Sequence, residues 1–185
     1  MKARVAVVAL ALSAMAQVGA AQQASMSGMS MGAPLADALR MQEGRFARIL
    51  PAALETFPAD KWTYKPTPAQ MSVAEIAVHL AEGNDQLCSV VSGETAPTRD
   101  KIAPTDAKEK LLAQLKATFD FCGTALAKLD DSKLGDQIPL FGRQFSRAAV
   151  IMIIGMDWQD HYSQLANYLR INGMLPPTAQ PAKKS

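Results

Sequence analysis

The sequence predicts an all-α protein built as a four-helix bundle. Apolar residues recur at intervals of three and four along four separate segments, which is the spacing of helices that bury one face. Almost no segment alternates apolar and polar residues as a half-buried strand does. A length of 185 residues, 49% of them hydrophobic, suits a single domain with one core.

The N-terminal end has the features of an export signal. Residues 1–21 combine a basic start at Lys2 and Arg4 with an apolar stretch over 5–16 and small residues at the end. That stretch is shorter than the roughly 20 residues that span a bilayer, so we expect no stable membrane anchor. The sequence predicts a periplasmic or secreted protein, with residues 22–34 as a flexible linker rich in Met, Ser and Gly.

Charge and composition exclude several classes of protein. The chain has 19 Lys and Arg against 17 Asp and Glu, and without Lys2 and Arg4 the two signs are equal. A dedicated nucleic-acid binder carries a basic excess, so no nucleic-acid partner is expected. Two cysteines are too few for a disulfide-rich scaffold or a four-cysteine zinc site.

The first two helices have clear boundaries in the sequence. The first is predicted from Leu35 to about Thr56, and a proline-containing connection follows it. Ser72 followed three residues later by Glu75 forms the pattern of a capping box. We therefore expect the second helix to start there and to end near Ser92.

The last two helices follow a polar connector over residues 93–104. Thr105 or Asp106 is predicted to cap the third helix, whose apolar residues are spaced by 3, 4, 3, 4 and 3. The last helix is predicted from about Arg143 to Asn172. The bundle should thus occupy residues 35–177, with a disordered tail over 178–185.

Two polar residues interrupt the apolar stripe of the last helix. Asp157 and His161 lie at the same helical spacing as Val150, Ile154 and Leu165. A carboxylate on a packing face needs a partner, and side chains four residues apart can share one cation. A buried ion pair without metal is the alternative.

The remaining histidine lies on the second helix. His79 is at the edge of the apolar stripe, so it can face the core or the solvent. If the second and fourth helices are neighbours, His79, Asp157 and His161 form a two-histidine, one-carboxylate site with open positions on a divalent metal. Glu75 and Gln164 are candidates to hydrogen-bond the ligands.

Four segments of the sequence together resemble the DinB-like family. They are WTYKP at 62–66, SVAEIAVHL at 72–80, HYSQL at 161–165 and YLRINGMLPP at 168–177. The resemblance runs from about Leu35 to Pro177. It implies an up-down-down-up bundle with a long crossover between the second and third helices.

The resemblance also implies a divalent metal held by three histidines. One lies on the second helix and two lie four residues apart on the fourth. His79 and His161 match two of these positions, and the remaining position is Asp157 in this sequence. A carboxylate is a competent ligand for zinc, nickel, iron or manganese, so a metal site is still expected.

The sequence is compatible with three functions. The first is a metal-dependent hydrolase or thiol S-transferase that acts on a small molecule of unknown identity. The second is a non-catalytic metal- or ligand-binding module, in which a fourth protein ligand would close the site. The third is copper handling by Met26, Met29 and Met31 of the linker. A homodimer remains open.

The two cysteines distinguish between bundle topologies. With antiparallel second and third helices, Cys88 and Cys122 would be offset by about 18 Å along the helix axes, too far for a disulfide. In the parallel arrangement that the resemblance implies, they lie at nearly equal height. We therefore predict parallel helices and a Cys88–Cys122 disulfide, although the helices could be parallel with the two thiols facing different neighbours.

Overall fold

The computed structural model of the chain describes residues 33–181 and contains four long helices and one β-hairpin. The helices confirm the predicted bundle. The elements are α1 (Pro34–Thr56), α2 (Val73–Ser92), α3 (Lys108–Leu126), β1 (Gln137–Leu140), β2 (Arg143–Ser146) and α4 (Arg147–Ile171). None of the helices in this part of the chain is both long and apolar enough to cross a membrane. The predicted signal over 1–21 and nearly all of the 22–34 linker lie outside the described residues.

The capping box at the start of α2 is present as predicted. Ser72 Oγ accepts a hydrogen bond from the Glu75 backbone N–H, and the Glu75 carboxylate accepts one from the Ser72 N–H at 2.6 Å. Two of the free N–H groups of the first turn are thereby satisfied. Gly93 follows the last helical residue, Ser92, and its φ of 80° is the left-handed conformation that favours glycine.

The predicted cap of α3 is wrong. The residue before the helix is Ala107, and no side chain caps it. Asp106 Oδ2 instead accepts hydrogen bonds from the Ala103 N–H at 2.8 Å and from Lys110 Nζ at 3.0 Å. The carboxylate thus closes the turn before the helix rather than capping the helix itself.

The hairpin was not predicted, and it moves the start of the last helix from residue 143 to Arg147. Strands β1 and β2 pair antiparallel, with Leu140 opposite Arg143. The two residues between them, Phe141 and Gly142, have φ of 50° and 73°. Positive φ at both loop positions gives the backbone twist that suits a two-residue hairpin.

Helices α2 and α3 are parallel, as the family resemblance implied. Asn84 Nδ2 donates to Thr118 Oγ1 at 3.2 Å. One turn further along both helices, Cys88 and Cys122 form a disulfide with a Cα–Cα distance of 5.3 Å. The paired positions advance together along both helices, which requires the same direction.

Helix α1 runs opposite to α3. Near the start of α1, Arg40 Nη1 donates to the carbonyl of Leu126 at the end of α3 at 3.0 Å. Near the end of α1, the carbonyl of Glu55 accepts a hydrogen bond from Lys108 at the start of α3 at 2.9 Å. The two helices are therefore antiparallel.

Helix α4 runs opposite to α2. Arg147 at its start donates to the carbonyl of Val91, and Tyr168 Oη near its end donates to the carbonyl of Met71 at 3.0 Å. With α3 parallel to α2 and opposite to α1, the bundle has the predicted up-down-down-up order. The residue 93–107 connector returns the chain to the end of the bundle where α2 began.

The start of the predicted disordered tail is ordered. Residues Pro177–Ala179 form a short 3-10 helix. The Tyr162 hydroxyl contacts Thr178 Oγ1 at 2.8 Å and accepts a hydrogen bond from the Thr178 N–H at 3.2 Å. Residues 178 and 179 of the predicted tail thus form regular structure, while residues 182–185 lie outside the described part of the chain.

The disulfide should contribute a large share of the stability. It closes a loop of 34 residues, which corresponds to about 3 to 4 kcal/mol of unfolding free energy in the chain-entropy account. We expect urea unfolding of the reduced protein to show a loss of that size. The Cys88→Ala/Cys122→Ala variant is the control, and its unfolding should not respond to reductant. Equal stability of fully reduced and oxidised wild type would contradict the prediction.

Candidate metal centre

Three side chains from two helices meet at one point of the bundle. His79 comes from α2, and Asp157 and His161 come from α4. One potential ligand atom from each lies within 4.8 Å of the other two. Asp157 Oδ1 is 3.1 Å from His79 Nε2 and 3.5 Å from His161 Nε2, and the centroids of the two imidazole rings are 4.5 Å apart.

The helix arrangement explains this convergence. Asp157 and His161 are one turn apart, so both project from the same side of α4. Because α4 is antiparallel to α2, the middle of one helix passes the middle of the other. The backbone passes closely here: a Cβ on Gly83 of α2 would lie 3.8 Å from Asp157 Oδ2. His79, one turn before Gly83, therefore reaches the carboxylate.

The cluster extends from the interior to the surface. The side chain of His161 is 7% exposed, that of Asp157 is 21% exposed and that of His79 is 44% exposed. The sequence pattern placed Asp157 on the buried stripe, whereas it lies at the margin of that stripe. Solvent can therefore reach the cluster from the His79 side.

The charges of the cluster depend on one another. Burial raises the pKa of the Asp157 carboxyl, but the nearby imidazoles of His161 and His79 lower it more, to about 2. The hydrogen bond to Asp157 raises the pKa of His79 against the opposing effect of burial. The negative charge of Asp157 raises it further.

The donor set fits a divalent transition metal. Ligand atoms at 2.0 to 2.1 Å from a tetrahedral ion lie about 3.4 Å apart, close to both distances from Asp157 Oδ1. His161 Nδ1 is buried without a hydrogen-bond partner among residues 33–181. This nitrogen is not the one that lies near Asp157, so the spacing of the three ligand atoms carries the metal assignment. The cluster could thus hold a metal.

The two residues predicted to support the ligands have other partners. The Glu75 carboxylate is committed to the capping box of α2. Gln164 Nε2 donates to Asp160 Oδ2 at 2.7 Å rather than contacting His161. Neither side chain has a hydrogen bond to a cluster residue in the described part of the chain.

Two acidic residues near the cluster were missed in the sequence. The charges of Glu82 and Asp160 both raise the pKa of His79. Glu82 lies three residues after His79, and Asp160 lies three residues after Asp157, so helical spacing could have identified them. They give the exposed side of the cluster a negative rim.

A larger groove lies elsewhere on α4. It lies between α1 and α4 and has a volume of about 640 Å³. Leu39 and Phe46 of α1 form one wall, and Ile151 and Met156 of α4 form the other. None of the three cluster residues lines it. The groove approaches the cluster only through Asp160, which lines the groove and whose charge also acts on His79.

Comparison with known protein families gives one match to a family model. The DinB superfamily model matches residues 44–165, which include all three residues of the cluster. No curated protein matches the chain in sequence.

Solved structures with the same fold include two bacterial DinB-like proteins. The protein from Bacillus subtilis is 20% identical, with a TM-score of 0.60 over 80% of this chain and 97% of that one. The protein from Bacillus cereus is 13% identical, with a TM-score of 0.59 over 75% of this chain and 93% of that one. At these identities the likeness concerns the fold.

The raised pKa of His79 predicts a measurable pH dependence of the metal-free protein. Its contribution to stability is complete below the ordinary pKa of about 6.5 and is lost as the pH rises through the higher folded value. NMR titration should place the imidazole above the ordinary value, and Asp157→Asn should lower its pKa. Asp106→Asn, which removes a carboxylate that bonds Ala103 and Lys110, is the control. An unchanged His79 pKa in Asp157→Asn would contradict this account.

Proposed function

The chain belongs to the DinB superfamily, and on that premise we propose that it binds one divalent transition metal through His79, Asp157 and His161. The observation that carries the proposal is the approach of two imidazoles and one carboxylate to within 4.8 Å of one another. Two nitrogen donors and one carboxylate oxygen suit zinc, and they also suit nickel, iron or manganese.

The proposed role of the metal is catalytic. Three protein ligands would leave coordination positions free on a bound ion, and solvent can reach the cluster from the exposed side of His79. A bound ion would lower the pKa of a water or a thiol at an open position and so supply a nucleophile near neutral pH. The reaction class is hydrolysis or thiol S-transfer on a small molecule.

The protein's own residues would orient the site and select among ligands. Two of the proposed ligands are held in place by their surroundings. His161 is buried, and Asp157 lies close to the backbone of α2. Glu82 and Asp160 add negative charge around His79. That charge disfavours anionic substrates and favours neutral or cationic ones.

A non-catalytic metal- or ligand-binding module is the second candidate. The groove between α1 and α4 favours it, because the groove has the volume of a small-molecule site and does not include the cluster. In that case the metal would stabilise the bundle or be stored. The number of free coordination positions distinguishes the two candidates.

We also propose that the chain is exported to the periplasm or the medium. The Cys88–Cys122 disulfide supports this proposal, because disulfides persist in oxidising compartments. Fractionation of cells that express the full chain tests it. Recovery of the chain in the cytosol with residues 1–21 retained would overturn it.

Removal of the most buried ligand should abolish metal binding. We expect His161→Ala to lose tight zinc binding in a competition titration, because two ligands remain. Asp157→His should keep or strengthen zinc affinity, since it gives the three-histidine set of the family resemblance. Gln164→Ala, which removes a neighbouring polar group bonded to Asp160, is the control and should bind as wild type does. Wild-type affinity in His161→Ala would refute the site.

The open coordination positions can be probed directly in the cobalt-substituted protein. We expect its visible absorption to change on addition of azide or 2-mercaptoethanol, because an exogenous ligand enters the first coordination sphere at a free position. A spectrum that neither ligand alters would mean a closed site and would favour the non-catalytic module. Asp157→His should respond in the same way as wild type, since it replaces one protein ligand by another.

A further inference from the structure

A buried polar network joins α2, α3 and α4 in the interior of the bundle. Its side chains belong to Asn84, Thr118 and Trp158, which are 2%, 0% and 1% exposed. Trp158 Nε1 donates to Asn84 Oδ1 at 2.7 Å, and Asn84 Nδ2 donates to Thr118 Oγ1 at 3.2 Å. Thr118 Oγ1 donates in turn to the Leu115 carbonyl at 2.8 Å. Asn84 is therefore the residue through which all three helices are connected.

This network restricts how α4 can slide along α2. Apolar side chains tolerate small shifts of one helix against another, whereas a buried hydrogen bond does not. A shift of one residue moves Trp158 by about 1.5 Å, which breaks its bond to Asn84 and leaves two buried polar atoms unpaired. The amide of Asn84 thus selects one register of the two helices.

The same two helices carry the metal cluster. Trp158 directly follows Asp157, and His79 lies five residues before Asn84. Metal ligands must lie within about 0.2 Å of their ideal distances. His79 is half exposed, so neighbouring side chains hold it less firmly than they hold His161. Its position relative to α4 therefore depends on the register of α2.

We propose that Asn84 is a positioning residue of the metal centre. By holding the Trp158 indole, its amide sets the register of α2 against α4 and thereby the distance from His79 to Asp157 and His161. The inference rests on the proposed metal-binding function. It concerns a residue that contacts none of the three ligands through its side-chain hydrogen bonds.

Apart from the His79–Asp157 bond of the cluster itself, two other hydrogen bonds among the described residues join α2, or the chain just before it, to α4. Tyr168 Oη donates to the Met71 carbonyl, and Arg147 donates to the Val91 carbonyl. At 1.5 Å per helical residue, Val91 is about 18 Å from His79 along the α2 axis, and Met71 lies beyond the first helical residue, Val73, which is about 9 Å from His79. Asn84 is only about 7.5 Å away. The Asn84–Trp158 bond is thus the closest of the three to the cluster.

The test compares loss of the central bond with loss of a terminal one. Asn84→Leu removes the amide at similar volume, and Trp158→Phe removes only the donor and part of the ring. Tyr168→Phe is the matched control, because it removes one hydrogen bond between the same helices at the end of the bundle. Zinc affinity, the visible spectrum of bound Co²⁺ and the unfolding temperature are measured for all three variants.

We expect Asn84→Leu and Trp158→Phe to weaken zinc binding by about 10- to 100-fold, the effect typical of groups that orient metal ligands. Their Co²⁺ spectra should change, because the geometry of the ligands changes. Tyr168→Phe should keep the wild-type spectrum and affinity, even if its unfolding temperature falls by as much as that of the other two variants. If Asn84→Leu does not fold, Trp158→Phe provides the same comparison.

Two results would overturn the proposal. The first is wild-type affinity and spectrum in the folded Asn84→Leu or Trp158→Phe variant. The second is an equal loss of affinity in Tyr168→Phe, which would assign the effect to general stability. Failure of the metal site itself would look different, because the wild-type protein would then bind no zinc.

Discussion

The carboxylate of Asp157 imposes the constraint on which the rest of the site depends. It lies at the margin of the packing face of α4, where an unpaired charge would be costly. Two imidazoles offset this cost by pairing with the carboxylate. One belongs to His161 in the next turn of the same helix, and the other belongs to His79 of α2. The second imidazole requires α2 to lie beside α4 in one register. The chemistry of the site and the packing of the bundle are therefore linked through a single side chain.

The parallel arrangement of α2 and α3 makes this neighbour relationship available. The long connector over residues 93–107 returns the chain to the end of the bundle where α2 began. As a result, α3 lies beside both α1 and α2. Helix α4 also packs against α1 and α2. The Cys88–Cys122 disulfide holds α2 to α3, and Asn84 joins this pair to α4 through Trp158. Helix α2, which carries His79, is therefore bonded to α3 on one side and to α4 on the other.

The four helices and the three residues of the cluster could be predicted from spacing, whereas the up-down-down-up order came from the family resemblance. Two histidines and one carboxylate on packing faces left few possible combinations, and the Ser72 capping box identified the start of α2. The hairpin was missed because four-residue strands give too short a periodic signal. Glu75 was assigned to the site because spacing cannot show that its carboxylate is already used by the cap. The exposure of His79 depends on how closely α2 and α4 approach, which no local pattern specifies.

We propose that this chain carries a metal ion at the meeting point of α2 and α4. The most direct test is elemental analysis of the untagged protein purified from its native compartment, together with X-ray absorption at the edge of the metal found. We predict a single divalent transition metal per chain with nitrogen and oxygen ligands at about 2.0 to 2.2 Å. A protein that contains no metal, and takes up none when incubated with zinc, nickel, iron or manganese, would contradict the account.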